Sequence, residues 1–273
     1  MNVKYVLVLV AVLVVIVAIK HFTEPKVIFT CTTFFDFEKM DRWASFQKAM
    51  DNIHKQNALN LPQAWFIVNE YSAAPRADWS ALMAERYPQM TFVQKTVDQK
   101  GQTHSLNLIL EAVQPYDYWI QWEDSWFPER PFLARALDVM SSSQISQLQI
   151  THARRNVTWL EIAEERKTKR TTWNGTDYIE IKPPPEIAEF LGRDAKDYTD
   201  EWIKKGWPLF SLQPSLNRVS HIRRLDKFNT DPGLWPVKFE WDYARHWLIA
   251  GCTKAVLPDG PVIRPGHVST YSK

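Results

Sequence analysis

The chain has 273 residues, 45% hydrophobic and 23% charged, with a formal net charge of +2. That balance is globular, sized for one large domain or two small ones, and it gives no argument for nucleic acid as a partner. Its two cysteines, Cys31 and Cys252, exclude a disulfide framework and a metal site built from cysteine alone, and both read as buried thiols. Thirteen Trp suit either an aromatic-rich core or surfaces that stack on sugars.

Residues Tyr5 to Ile19 form an unbroken apolar run with no charge, Gly or Pro, flanked by Lys4 and Lys20. As a helix it covers roughly 22 Å, short of a ~30 Å hydrocarbon core, and snorkelling lysines extend its reach. Its exit, Val17-Ala18-Ile19-Lys20, lacks a small-x-small cleavage pattern, so it reads as an uncleaved transmembrane anchor. Phe22 to Pro25 is a short polar stem. The sequons Asn156-Val157-Thr158 and Asn174-Gly175-Thr176 permit a lumenal or extracellular domain.

Strand character then alternates with helical spacing. Lys26 to Phe34 is β-branched and aromatic and ends in Thr32-Thr33. Trp43 to Gln56 places Trp43, Phe46, Ala49, Met50 and Ile53 at helical intervals. A strand over Ala64 to Glu70 ends in Asn69-Glu70; a helix follows from Asp78 to Arg86, a strand from Met90 to Lys95, and a helix opening at Gly101. A fourth strand, Tyr118 to Trp122, runs into Glu123-Asp124-Ser125. This order predicts an α/β fold with a mostly parallel sheet flanked by helices. Glu123 and Asp124 fall at the carboxyl edge, where open α/β sheets bind ligands. Two adjacent carboxylates there repel unless a cation or hydrogen-bond donors offset them. No GxGxxG or GxxxxGK[ST] pattern follows any strand, so neither a dinucleotide fold nor a phosphate-loop kinase is supported.

The second half predicts a helix over Pro131 to Met140 and a strand over Gln147 to Ile150. Arg154-Arg155 and the stretch from Glu164 to Arg170 read as solvated loop or helix surface. A strand is expected over Phe210 to Leu216, a helix from Phe239 to Ile249 closed by Gly251, and short strands at Lys254 to Leu257 and Val262 to Arg264.

In this order the motifs resemble GT-A nucleotide-sugar glycosyltransferases, most like glycosyltransferase family 2 and its relatives. Thr32 and Thr33 look like the nucleotide-entry strand, and Asn69-Glu70 the base or ribose contact. Gly101-x-x-x-Ser105-x-Asn107 looks like the helix ahead of the DXD strand, and Glu123-Asp124-Ser125 falls at the DXD position, with Ser125 replacing the third acid. Glu240-Trp241-Asp242 resembles the acceptor-side helix, with a Glu-x-Asp spacing that leaves either carboxylate as the base. His267 stands where many members have a metal-holding histidine.

The resemblance implies a membrane-anchored sugar transferase acting on a nucleotide-sugar donor and a glycan or other hydroxyl acceptor. Asp124, Glu123 and His267 would hold a divalent cation (Mn2+ or Mg2+), and Asp242 or Glu240 would deprotonate the acceptor in an inverting displacement. Residues 1–21 would be a cytoplasmic tip and anchor, 22–26 a stem, and 27–273 a catalytic domain with a nucleotide half (27–126) and an acceptor half (127–273). In a eukaryotic cell this is a type II Golgi or ER protein with a lumenal domain. Two other readings stay open: a two-carboxylate glycoside hydrolase using Glu123 and Glu240, and a Trp-rich sugar-binding protein on a degenerate transferase scaffold, favoured by Ser125.

Overall fold

The structure, a computed structural model, describes residues 24–34, 40–57, 62–71, 79–151, 166–183, 191, 209–234 and 238–264. Four strands joined by three helices open the fold: β1 (Val27–Thr33), α1 (Met40–Gln56), β2 (Ala64–Asn69), α2 (Trp79–Arg86), β3 (Met90–Gln94), α3 (Gln102–Ala112) and β4 (Tyr118–Glu123). After a short strand β5 (Phe127–Pro128) come α4 (Leu133–Ser142), β6 (Gln147–Gln149) and a hairpin, β7 (Lys167–Thr171) with β8 (Asp177–Ile181). The chain continues with β9 (Ser215–Arg218), the single turn α5 (Val219–Ile222), α6 (Lys238–Ile249), β10 (Lys254–Val256) and β11 (Val262–Ile263).

Nine strands form one sheet in the order β3-β2-β1-β4-β9-β6-β10-β8-β7, and β5 pairs with β11 beside it. The first four are mutually parallel. β9 is antiparallel to both β4 and β6, β10 is parallel to β6, and the hairpin closes the far edge. Successive side chains of β1 face opposite sides of the sheet. Val27, Phe29 and Cys31 join α1, α2 and α4 in one core, while Ile28 joins α3 and α6 in the other.

The core takes up much of the Trp excess. Trp119, Trp122, Trp241 and Trp247 are fully buried, and Trp43, Trp65 and Trp126 nearly so. Trp119 Nε1 donates to Thr30 Oγ1 at 2.7 Å, satisfying an indole inside the sheet layer. Cys31 and Cys252 are both buried free thiols, as the sequence implied.

Two expectations shift. The strand expected over Phe210 to Leu216 begins only at Ser215. Residues 209–214 are irregular and buried, and Ser211 and Leu212 give their N–H groups to the side chains of Gln147 and Glu240 instead of to a ladder. The charge-dense stretch read as loop or helix surface contains strand β7. Its exposed Lys169 and Arg170 fit a sheet edge, where lysine deters further strand pairing. Among the described residues no helix is long and apolar enough to cross a membrane; the run from Tyr5 to Ile19 lies outside them.

Helix α4 is capped from a distance. Buried Asn57, just past α1, accepts the N–H groups of Phe132 and Leu133 on Oδ1, each at 3.1 Å, and gives Nδ2 to Ile53 O. Asn57→Ala leaves two buried donors at a helix start without a partner. Chemical denaturation should show a loss of about 2–4 kcal/mol, and an unchanged midpoint would sink this account of the cap.

Candidate functional site

The strand order 3-2-1-4 puts a switch point between β1 and β4, and the crevice beyond their carboxyl ends is the expected ligand position. A cleft lies there. Thr32, Thr33 and Phe34 supply one wall, Glu123 and Asp124 another, Arg42 a third, and Glu70, Gln102 and Ser105 close it at the start of α3. Five residues singled out from sequence therefore meet around one opening: Thr32, Thr33, Glu70, Glu123 and Asp124.

The pair at the end of β4 is divided. Asp124 is buried; its Oδ2 accepts the N–H of Phe34 at 3.1 Å and stands 3.9 Å from Arg42 Nη1. Glu123 is partly exposed and accepts Trp126 Nε1 at 3.1 Å. Burial raises its pKa; Arg264, Trp126 and Arg42 pull it back down, and Asp124 adds to the rise. The guanidinium of Arg264 lies over the Trp126 ring, 5.8 Å from its centroid. Beneath the pair, the Cys31 thiol is held well above its ordinary range by burial, with both carboxylates adding. Ser125 Oγ is buried and has no hydrogen-bond partner among the described residues.

Glu70 is committed to the scaffold. It meets buried Lys95 Nζ at 2.7 Å and accepts the N–H groups of Gly101 and Tyr71. Lys95 also donates to Gly101 O and Ser105 Oγ, so one ion pair ties β2, β3 and the start of α3 together. Burial lowers the pKa of Lys95 and Glu70 opposes the shift. Gly101, at φ 112°, takes a backbone conformation that side chains other than glycine rarely adopt. Asn69 lies behind the wall, bridging Thr33 Oγ1 and Gln94 Oε1 at 2.8 Å each. Asn107 is outside the cleft: its amide exchanges two hydrogen bonds with the Phe228 backbone, at 2.8 and 2.9 Å. His267 lies outside the described residues.

The two candidate bases on α6 separate. Positions i and i+2 differ by about 200° around a helix. Glu240 accepts Leu212 N–H at 2.8 Å. Burial pushes its pKa up to about 7; the Leu212 bond opposes, the Glu123 charge adds, and Lys254 opposes. Asp242 is buried and pairs with Arg245 at 3.3 Å. Lys254 is fully buried, donates to Leu209 O at 2.7 Å, and is held well below its ordinary pKa by burial, with Glu240 opposing.

Sequence reasoning missed Arg42, Lys95, Lys254 and Arg264 as members of this region. Lys95, Lys254 and Arg264 were readable in part, since each stands at the end of a strand placed from the sequence. Arg42 carries no local signal.

No protein-family model matches the chain, and no curated protein matches it in sequence. Solved structures do match in fold. A mannosyltransferase from Pyrobaculum calidifontis, in complex with GDP-Man and Mn2+, aligns with a TM-score of 0.54 at 18% identity, over 91% of this chain and 59% of that one. GalNAc-T7 with UDP, GalNAc and Mn2+ gives 0.55 at 9% identity, over 88% and 43%. S. aureus TarS gives 0.50 at 13%, over 86% and 59%. The chain thus spans well under two thirds of each of these proteins. The likeness establishes its fold, that of the GT-A glycosyltransferases.

Asn107→Ala tests the placement of that residue. It should lower stability by about 1–3 kcal/mol through two lost hydrogen bonds and leave nucleotide binding unchanged. Loss of nucleotide binding by a protein of unaltered melting temperature would place Asn107 in the cleft after all.

Proposed function

We propose that the protein transfers a sugar from a nucleotide-sugar donor to a hydroxyl of a glycan, glycoprotein or glycolipid, with inversion. The observation that carries this is the position and state of Glu240. Burial raises its carboxyl pKa to about 7, with the charge of Glu123 adding to the rise. The GDP-Man and UDP complexes of the similar folds support the donor class.

A divalent cation, Mn2+ or Mg2+, fits the residues present. Hard cations of this kind are held by one or two carboxylates together with substrate phosphates. Asp124 and Glu123 supply that set, and Ser125, next in sequence, has a buried Oγ with no hydrogen-bond partner among the described residues. His267 is the proposed third protein ligand. When bound, the cation offsets the charge that builds on a departing diphosphate.

The chain's own residues do the rest. Thr32, Thr33 and the start of α3 bound the space for the nucleotide, and the Glu70–Lys95 ion pair fixes that start. Arg42 and Arg264 add positive charge on either side of the acidic pair. Glu240 takes the acceptor proton as the acceptor oxygen bonds to the anomeric carbon. The bond from that carbon to the diphosphate oxygen breaks, and the diphosphate leaves with its electron pair. The apolar run from Tyr5 to Ile19 would hold this domain to a membrane in the type II sense, with the catalytic domain lumenal in a eukaryotic cell.

A base must be unprotonated to act, so kcat/KM should rise with pH through about 7. Glu240→Gln should abolish turnover and that limb while nucleotide binding persists. The stability effect has the opposite sense. Because the folded-state pKa is raised, Glu240 binds its proton more tightly folded than unfolded. Stability is therefore lost as pH climbs from about 4.5 through about 7. The glutamine can still accept the Leu212 N–H, so the variant should be more stable at pH 8 by up to about 3 kcal/mol. A variant that keeps activity, or a pH profile flat from 5 to 8, would remove Glu240 as the base.

Asp124→Asn keeps an acceptor for Phe34 but removes the charge. Thermal shift of full-length protein with UDP or GDP and Mn2+ should show stabilisation that the variant loses, and sugar release from nucleotide sugars should fall at least about 100-fold. If no nucleotide, with or without metal, stabilises the wild type, the transferase reading fails.

A further inference from the structure

Trp173 contradicts the general burial of tryptophan in this fold. It is 88% exposed, at the tip of the β7–β8 hairpin. Exposed aromatics commonly ride on mobile loops, but this tip is braced. Thr172 exchanges backbone hydrogen bonds with Thr176 and Gly175, and its hydroxyl accepts the Thr176 N–H. Asp138 of α4 accepts Thr172 Oγ1 at 2.5 Å and Asn174 Nδ2 at 2.6 Å, anchoring the turn to the body of the fold. The indole is thus held in water by a turn whose polar groups are engaged, an arrangement that costs apolar burial and saves ordering entropy when a partner stacks on it.

The register says where this tip lies. Thr32 pairs with Glu123, and Gln121 with Ser215, which pairs with Gln149; Gln149 pairs with Val256, and Val256 with Ile179. Two residues toward the carboxyl edge from that row lie Glu123 on β4 and Asp177 on β8, and Asp177 pairs with Thr171. The hairpin mouth therefore shares its level in the sheet with the acidic pair, and Trp173 projects beyond it. Five strand spacings separate β4 from β7, about 24 Å along the sheet.

We infer that Trp173 is a remote stacking platform for the acceptor, a carbohydrate chain of several rings lying along this edge from the Glu123–Glu240 region to the hairpin. The inference rests on the proposed transferase reading and extends it to the acceptor's length and chemical class. An indole face takes the apolar face of a sugar ring, and its N–H stays available to a hydroxyl. The surroundings suit such a ligand: Thr171 is exposed, short and uncharged. They do not suit strand addition, which exposed Lys169 and Arg170 discourage. Nor do they suit a membrane, because the tip is at the opposite end of its strands from the end where the chain enters β1.

The test applies full-length protein in detergent to a broad printed glycan array, with Trp173→Ala and Trp173→Phe beside the wild type. Shielding of Trp173 from N-bromosuccinimide is read in parallel by peptide mass spectrometry. The wild type should bind oligosaccharides in preference to monosaccharides; Trp173→Ala should weaken that binding about tenfold, and Trp173→Phe should keep most of it. Nucleotide-induced stabilisation should be equal in all three. No glycan bound, equal binding by the alanine variant, or shielding of Trp173 by phosphatidylcholine vesicles or by self-association in place of glycans would each overturn the inference. Glycan binding and shielding need no turnover. A protein that binds oligosaccharides through Trp173 but ignores nucleotides would refute the transferase and leave a carbohydrate-binding hairpin.

Discussion

Right-handedness of the strand–helix–strand crossover is the constraint from which the site follows. A chain that builds β1, β2 and β3 outward with α1 and α2 on one face can place β4 on the other side of β1 only by sending α3 across the opposite face. The two core clusters record that change of face: α1, α2 and α4 pack on the odd residues of β1, α3 and α6 on the even ones. The β1 and β4 carboxyl ends then meet where the connecting helices change face, from α1 and α2 on one side to α3 on the other. Thr32, Thr33, Glu70, Glu123 and Asp124 collect at that edge because the strand order brings their strand ends together.

Electrostatics explains why that edge holds together without a ligand. Two adjacent carboxylates at a strand end would favour unfolding of that end if left alone. Here Phe34 N–H, Trp126 Nε1–H and the cations Arg42 and Arg264 each meet part of the charge. The compensation is incomplete. Glu123 still titrates high, and the neighbouring thiol and Glu240 both register its charge. An incompletely neutralised acidic pair of this kind favours a cation.

The nucleotide half of the fold was legible because its signals are local. β-branched and aromatic runs end in polar residues at each strand's carboxyl end, so Thr32, Thr33, Glu70, Glu123 and Asp124 could be placed on one edge before any coordinate was known. The acceptor half was less legible. Residues 209–214 look like a strand by composition, yet their N–H groups are satisfied by Gln147 and Glu240, partners more than two dozen positions away. β7 reads as solvated surface because an edge strand must carry charge. The sequence pattern also could not tell a residue that lines a cleft from one that holds it open. Glu70, Asn69 and Asn107 fit a ligand-binding motif, and each spends its side chain on the protein. The ambiguity between Glu240 and Asp242 came from spacing alone, and the pairing of Asp242 with Arg245 is a tertiary fact.

Glu240 and Lys254 show how a raised carboxyl pKa is maintained in this fold. A carboxyl group is raised by burial, and a nearby buried lysine would ordinarily cancel the shift by pairing with it. Lys254 is close enough to feel Glu240, but its ammonium is drawn to the carbonyl of Leu209. That carbonyl belongs to the one described non-glycine residue in the left-handed region, at φ 74°, a conformation that costs roughly 1–2 kcal/mol. Strain of this kind persists where surrounding structure over-determines it, and here Leu209 is buried and its carbonyl is bound. The Leu209 carbonyl accepts the Lys254 ammonium at 2.7 Å, while burial still holds Glu240 at a pKa of about 7.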